Sequence, residues 1–257
     1  MTLKKMALMG AALCGTVFCG AANAEISSAN VVGYTTSDLV SNKSNMQGIN
    51  FVKVDGTDFD LNTDITVGNL TGGADDTSAD SILVWDPAKS MYTTFYYYYE
   101  EEYADESAWY DLNGVLEAKL PAGSAFWFRA VSGESKSLTV AGAIETDDSV
   151  SFSLVGGKSN MIINPYPTAI DLNDTATVEV SNLTGGADDT SADSVLVWDA
   201  TKSMYTTFYY YYEAEYADES AWYDLNGVVE PNLAAGTAFW FRAVAGEGKA
   251  ITFKKTY

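Results

Sequence analysis

Gly72-Gly73-Ala74-Asp75-Asp76-Thr77-Ser78-Ala79-Asp80 places three carboxylates and two hydroxyls on one glycine-led loop, and Gly185 to Asp193 repeats it. Hard cations take oxygen ligands, so Asp75, Asp76 and Asp80 are candidate calcium ligands, with Asp188, Asp189 and Asp193 in the second loop. The spacing differs from the EF-hand loop, which alternates acids around a central glycine. The competing reading is a solvated turn in which Asp side chains cap nearby backbone N–H groups. Calcium is the one cofactor the chain suggests, and no motif requires one.

The run Met91 to Tyr99 carries a second kind of chemistry. Alternate side chains of a strand point to opposite faces. If Met91, Phe95, Tyr97 and Tyr99 face the core, then Tyr92, Tyr96 and Tyr98 face outward. Burying Tyr110 and Leu112 on the next strand adds Trp109 to that outer face. The second copy offers Tyr205, Tyr209, Tyr211 and Trp222. Flat rings beside carboxylates can stack on sugar faces while hydrogen-bonding the hydroxyls. Two other readings compete: cross-strand packing, at about 0.2–1 kcal/mol per pair, and burial of the face against the other repeat or another subunit. Phe126-Trp127-Phe128 is expected in the core, with Trp127 on the side of Arg129.

Catalytic options are few. The chain has no histidine, and its two cysteines, Cys14 and Cys19, fall in the N-terminal apolar segment. The usual nucleophile–base pairs and zinc ligand sets are therefore missing. Paired carboxylates could still serve glycoside hydrolysis, but no pair is placed in a cleft by the sequence. The chain is expected not to be an enzyme. Asn69-Leu70-Thr71 and Asn182-Leu183-Thr184 match the N-glycan acceptor pattern.

These residues sit on a duplicated frame. Asn69–Ala143 aligns without a gap on Asn182–Thr256, shifted by 113, and 17 of 75 positions differ. Ser44-Asn45-Met46 recurs as Ser159-Asn160-Met161, and Asp60-Leu61-Asn62 as Asp171-Leu172-Asn173. The units run from about 25 to 143 and from 144 to 257. Within each, the hydrophobic period is two. Strands are expected at Ser81–Asp86, Met91–Tyr99, Ala108–Leu112, Val115–Leu120, Ser124–Val131 and Ser137–Val140, with Asn113-Gly114 as a type I′ hairpin turn. The fold class is all-β: two tandem antiparallel β-sandwich or open-barrel domains.

Residues 1–24 read as a cleaved secretory signal. Lys4 and Lys5 precede an apolar stretch from Met6 to Phe18, and Ala22-Asn23-Ala24 supplies the small-x-small site. The expected destination is extracellular, cell-surface or periplasmic. The whole chain has a formal net charge of −21. Such a surface repels phosphate backbones and anionic headgroups, so nucleic acid and membrane insertion are not expected.

Ser28-Ala29-Asn30-Val31-Val32-Gly33-Tyr34 resembles the opening of a group of secreted bacterial β-repeat proteins. The series Val84-Trp85-Asp86, Tyr92-Thr93-Thr94, Trp109-Tyr110-Asp111, Pro121-Ala122-Gly123 and Phe126-Trp127-Phe128 resembles theirs too. The resemblance implies export and a repeated β-module; it brings no activity and no binding residues. The first expectation for function is a non-catalytic structural or surface-assembly protein, with self-association or other surface proteins as partners. The alternative is a tandem carbohydrate-binding protein whose partner is a polysaccharide.

Overall fold

The computed structural model describes residues 32–131, 133–227 and 230–257. Residues 1–24, expected to be a secretory signal, and residues 28–31 of the resemblance lie outside the described residues. The first half contains β1 (Val32–Leu39), β2 (Ser44–Gly48), β3 (Phe51–Val52), β4 (Phe59–Asp60), β5 (Ile65–Gly68) and β6 (Ser81–Asp86). It continues with β7 (Met91–Tyr98), β8 (Ala108–Asp111), β9 (Lys119–Leu120), β10 (Ala125–Arg129) and β11 (Lys136–Ile144). The second half contains β12 (Ser149–Leu154), β13 (Ser159–Ile163), β14 (Ile170–Asp171), β15 (Val178–Ser181) and β16 (Ser194–Asp199). It ends with β17 (Met204–Tyr211), β18 (Ala221–Asp224), β19 (Asn232–Leu233), β20 (Ala238–Arg242) and β21 (Lys249–Lys254). The all-β expectation holds, in two similar antiparallel halves.

Each half is two sheets facing across one core. In the first, β2-β10-β6-β7-β8 form a five-stranded sheet, and β11 pairs with β1, β3 and β5. Ile82, Phe95, Phe126 and Phe128 of the one sheet join Leu39, Ile65, Leu138 and Val140 of the other in a single buried cluster. The second half repeats this with β13-β20-β16-β17-β18 and β12-β21-β15, around Val195, Phe208, Phe239, Phe241, Ile251 and Phe253. Phe126-Trp127-Phe128 follows the period of two: both phenylalanines are fully buried. Burying a side chain of that size contributes about 1.5–3 kcal/mol.

Two short repeats in the sequence now have a physical role. Asn45 is buried and its amide holds the bend before β2: Oδ1 accepts the N–H of Val40 at 2.8 Å, and Nδ2 donates to the carbonyls of Val40 and Lys43. Asn160 makes the same bonds to Val155 and Lys158. Asn62 Oδ1 accepts the N–H of Trp109 at 2.8 Å, and Asn173 Oδ1 that of Trp222 at 2.7 Å, so these amides tie a loop to β8 and β18.

The expected type I′ hairpin is not formed. Gly114 has φ +77°, but Asn113 is not among the positive-φ residues. Asp111 Oδ1 accepts the N–H groups of Asn113 and Val115, so an Asx turn with a left-handed glycine replaces it. The chain then leaves β8. Only Lys119–Leu120 is extended, and it pairs with β4 rather than back on β8.

The outer faces of the two five-stranded sheets meet, and the contact is reciprocal. Trp85 Nε1 donates to the carbonyl of Ser159 at 2.7 Å, and Trp198 Nε1 donates to the carbonyl of Ser44 at 2.7 Å. Lys43 Nζ reaches Ser203 Oγ, and Lys158 Nζ reaches Ser90 Oγ. Trp85 stands edge-on to Trp240 at 5.7 Å, and Trp127 edge-on to Trp198 at 5.5 Å. Equivalent residues exchange roles across the seam, as in an isologous dimer interface. Ala125, Ile163 and Ala238 are buried at its centre, with Met46 and Met161 against them. Gly48 lies so close that an added Cβ would sit 2.3 Å from Ile163 Cδ1.

Candidate functional site

The acidic loops do not gather their carboxylates. Asp75 Oδ1 accepts from the N–H and hydroxyl of both Thr77 and Ser78. Those bonds, the hydroxyls first, hold the Asp75 carboxyl down at about 2, and the same set around Asp188 does likewise. Asp76 turns to Arg129, with Oδ2 3.9 Å from Nη2, and Asp189 to Arg242 at the same distance. Asp80 is fully buried and faces inward. Its Oδ2 accepts Lys136 Nζ at 2.9 Å and the N–H of Thr71; its Oδ1 accepts the N–H of Val131. Asp193 repeats this with Lys249 at 2.7 Å, Thr184 and Val244. Among the described residues no three acidic side chains group to share a metal ion. Each carboxylate points to a different partner, and the loop is a self-capped turn anchored by a buried ion pair, an arrangement that does not bring the candidate calcium ligands of either loop together.

The aromatic platform also needs correction. Trp109 and Trp222 are each 3 % exposed and belong to the cores. The register explains why: Tyr97 pairs with Trp109 and Tyr96 with Tyr110, so Trp109 shares the inward parity of Phe95 and Tyr97. Trp109 packs on Tyr97 at 5.8 Å and edge-on to Phe128 at 6.4 Å. Tyr110 takes its place outside. The expected burial of Tyr110 and Leu112 is reversed, and Leu112 is exposed.

The remaining platform residues are placed as expected, on the outer face, but they divide into two groups. Tyr92 and Tyr205 lie beside the seam. Each packs on the tryptophan opposite it in register, Trp85 or Trp198, at 4.8 Å. Tyr96, Tyr98 and Tyr110 form a separate strip toward the sheet edge, with Tyr209, Tyr211 and Tyr223 as its copy. Tyr98 stands edge-on to Tyr110 at 5.9 Å, and Tyr211 to Tyr223 at 5.8 Å. Tyr98 Oη donates to Glu100 Oε2 at 2.9 Å; desolvation and then this carboxylate push the phenol up to about 12, and Glu213 does the same for Tyr211. Tyr110 Oη donates to the carbonyl of Glu106. These bonds fix the rings while leaving them half-buried.

A cross-strand row links this strip to the seam. Arg129, Ser81, Tyr96 and Tyr110 are successive register partners across β10, β6, β7 and β8. Arg242, Ser194, Tyr209 and Tyr223 form the same row in the second half. Within it Ser81 Oγ, Ser194 Oγ, and Nη2 of both arginines are buried without a hydrogen-bond partner. Buried polar atoms are nearly always bonded, so their recurrence in both copies sets the row apart from ordinary surface.

Sequence reasoning missed Arg129 and Arg242 as members of this row, although their alternation with Trp127 and Trp240 already placed them outward. The acceptor asparagines are engaged too. Asn69 Nδ2 donates to the carbonyl of Ser135, and Asn182 Nδ2 to those of Glu247 and Gly248. Comparison with protein-family models, curated proteins and solved structures finds no match for this chain.

Proposed function

We propose that the chain is an exported, non-catalytic protein that binds polysaccharide through two equivalent tyrosine strips. The observation that carries this is the duplicated row ending in Tyr96–Tyr110 and Tyr209–Tyr223, with Tyr98 and Tyr211 beside it. Hydroxyls, a guanidinium and a carboxylate lie next to half-buried rings, the combination of apolar faces and polar edges that a sugar presents in return. Two sites held by one rigid seam gain avidity from a repeating polymer without new contacts. Affinity electrophoresis against a panel of neutral and charged polysaccharides tests it. The Tyr96→Ala/Tyr209→Ala/Tyr110→Ala/Tyr223→Ala variant is expected to lose the retardation shown by the parent. Equal mobility shifts for parent and variant on every gel reject the strips.

A second reading, surface assembly, is favoured by one observation. The edge strand β1 carries exposed Val32 and Tyr34, with exposed Val54 nearby on the same sheet's margin. Exposed edges invite pairing with another chain. Its aromatic version is weakened because the tryptophans suited to joining two chains join two halves of one. A mass-average molecular weight that rises with concentration supports assembly; a constant monomer weight opposes it.

A further inference from the structure

We propose that the cleft along the seam binds a uronate residue, so that the polysaccharide is an acidic one. The inference rests on the glycan reading and concerns a surface that shares Arg129, but none of the tyrosines of the strips, with that site. The cleft has a volume of about 600 Å³, within the range of small-molecule sites. Its aromatic wall comes from both halves: Tyr92 and Trp127 from one, Trp198 and Tyr205 from the other. Its charge comes from Lys43 and Arg129, and no Asp or Glu lines it. That polarity is the unusual feature. The chain has 35 acidic and 14 basic residues, so a cleft with two cations and no carboxylate runs against the whole surface.

Lys43 bonds only a neutral group, Ser203 Oγ at 2.8 Å, and has no carboxylate within ion-pair distance among the described residues. Arg129 meets Asp76 at 3.9 Å, too long for a hydrogen bond, and its side chain lines the cleft. A pyranose ring needs an apolar face, and a carboxylate on it needs a cation; aromatic walls with an Arg and a Lys supply both. Across the seam Trp240, the counterpart of Trp127, is 9 % exposed and donates Nε1 to Tyr205 Oη at 3.2 Å.

Binding of polygalacturonate and of a neutral glucan to the full chain tests the assignment, at low and high salt, with Lys43→Gln/Arg129→Gln and Lys43→Arg variants. The net negative charge repels a polyanion, so nonspecific electrostatics oppose binding and do not mimic it. Polygalacturonate is expected to bind the parent and to bind Lys43→Gln/Arg129→Gln at least tenfold more weakly. Lys43→Arg should keep most of the affinity, and unchanged melting curves show that the fold is intact. Equal polygalacturonate binding by parent and Lys43→Gln/Arg129→Gln, or none by the parent while glucan binds, overturns the cleft and leaves the strips standing. Binding of neither polymer overturns the cleft together with these two ligands for the strips. Loss of polygalacturonate binding in the cleft variant, with full binding retained by the four-tyrosine variant, supports the cleft and removes the strips.

Discussion

Trp85 meets Ser159, 74 positions away, through an indole-to-carbonyl hydrogen bond of 2.7 Å. The same bond runs from Trp198 back to Ser44. This reciprocity makes the two halves one unit and sets the spacing of everything they display. Trp85→Ala or Trp198→Ala is expected to destabilise the chain by ~3 kcal/mol, at the low end for a large aromatic because both rings are partly exposed. Trp85→Phe removes the hydrogen bond and part of the ring packing, and should cost less, about 1–2 kcal/mol. Denaturant unfolding checks both. An alanine variant as stable as the parent would mean the seam contributes nothing.

Lys136 and Asp80 form a fully buried ion pair, and Lys249 and Asp193 another. Removing one partner strands a buried charge, at a cost of roughly 3–5 kcal/mol. Lys136→Met should therefore be among the most damaging single changes. The double change Lys136→Met/Asp80→Asn is expected to recover part of the loss, because no charge is left behind and the amide oxygen can still accept a backbone N–H in place of the carboxylate. Equilibrium unfolding of the three chains reads this directly, and a double variant worse than the single one would contradict it.

Acid should loosen the self-capped loops in a narrow window at low pH. Asp75 and Asp188 are held at about 2 when folded, against 3.8 for a free Asp. Their folded value is depressed, so their contribution is complete above pH ~4 and is lost as pH falls through about 2. The melting temperature should fall more steeply over that window in the parent than in Asp75→Asn/Asp188→Asn. Parallel curves would show that the hydroxyl caps do not bias the titration.

Trp109 and Tyr110 are neighbours with opposite fates, and their substitutions should separate cleanly. Trp109→Ala opens the core and is expected to cost about 3–5 kcal/mol. Tyr110→Ala, on the outer face, should stay within about 1 kcal/mol, the size of a single cross-strand contribution. Comparable losses at the two positions would return Trp109 to the surface.

The pair also shows what the sequence could and could not reveal. On β7 the alternation assigned Phe95 and Tyr97 inward correctly, whereas Met91 and Tyr99, expected in the core, are exposed. On β8 both candidates, Trp109 and Tyr110, are large aromatics with a polar atom. Alternation alone gives no sign there, and the inward face was decided by pairing with Tyr97. The duplication, the all-β class and the buried Phe126 and Phe128 were legible because they need only local period and self-similarity. The seam was not, since it depends on contacts such as Lys43 to Ser203, 160 positions apart. The acidic loops misled for a related reason. Asp80 looks like its neighbours in sequence, and only the approach of Lys136 from a distant strand turns it inward.

The central claim is that two equal sites act together on one polymer. The most direct measurement is the polysaccharide affinity of the parent, of Tyr96→Ala/Tyr110→Ala, of Tyr209→Ala/Tyr223→Ala and of the four-residue variant, by titration calorimetry on the glycan that retards the parent most. Loss of either strip alone should lower affinity by on the order of 10²-fold as avidity disappears, with the two single-strip variants alike. Loss of one strip that leaves affinity unchanged, or a large fall from one strip and none from the other, would contradict the claim.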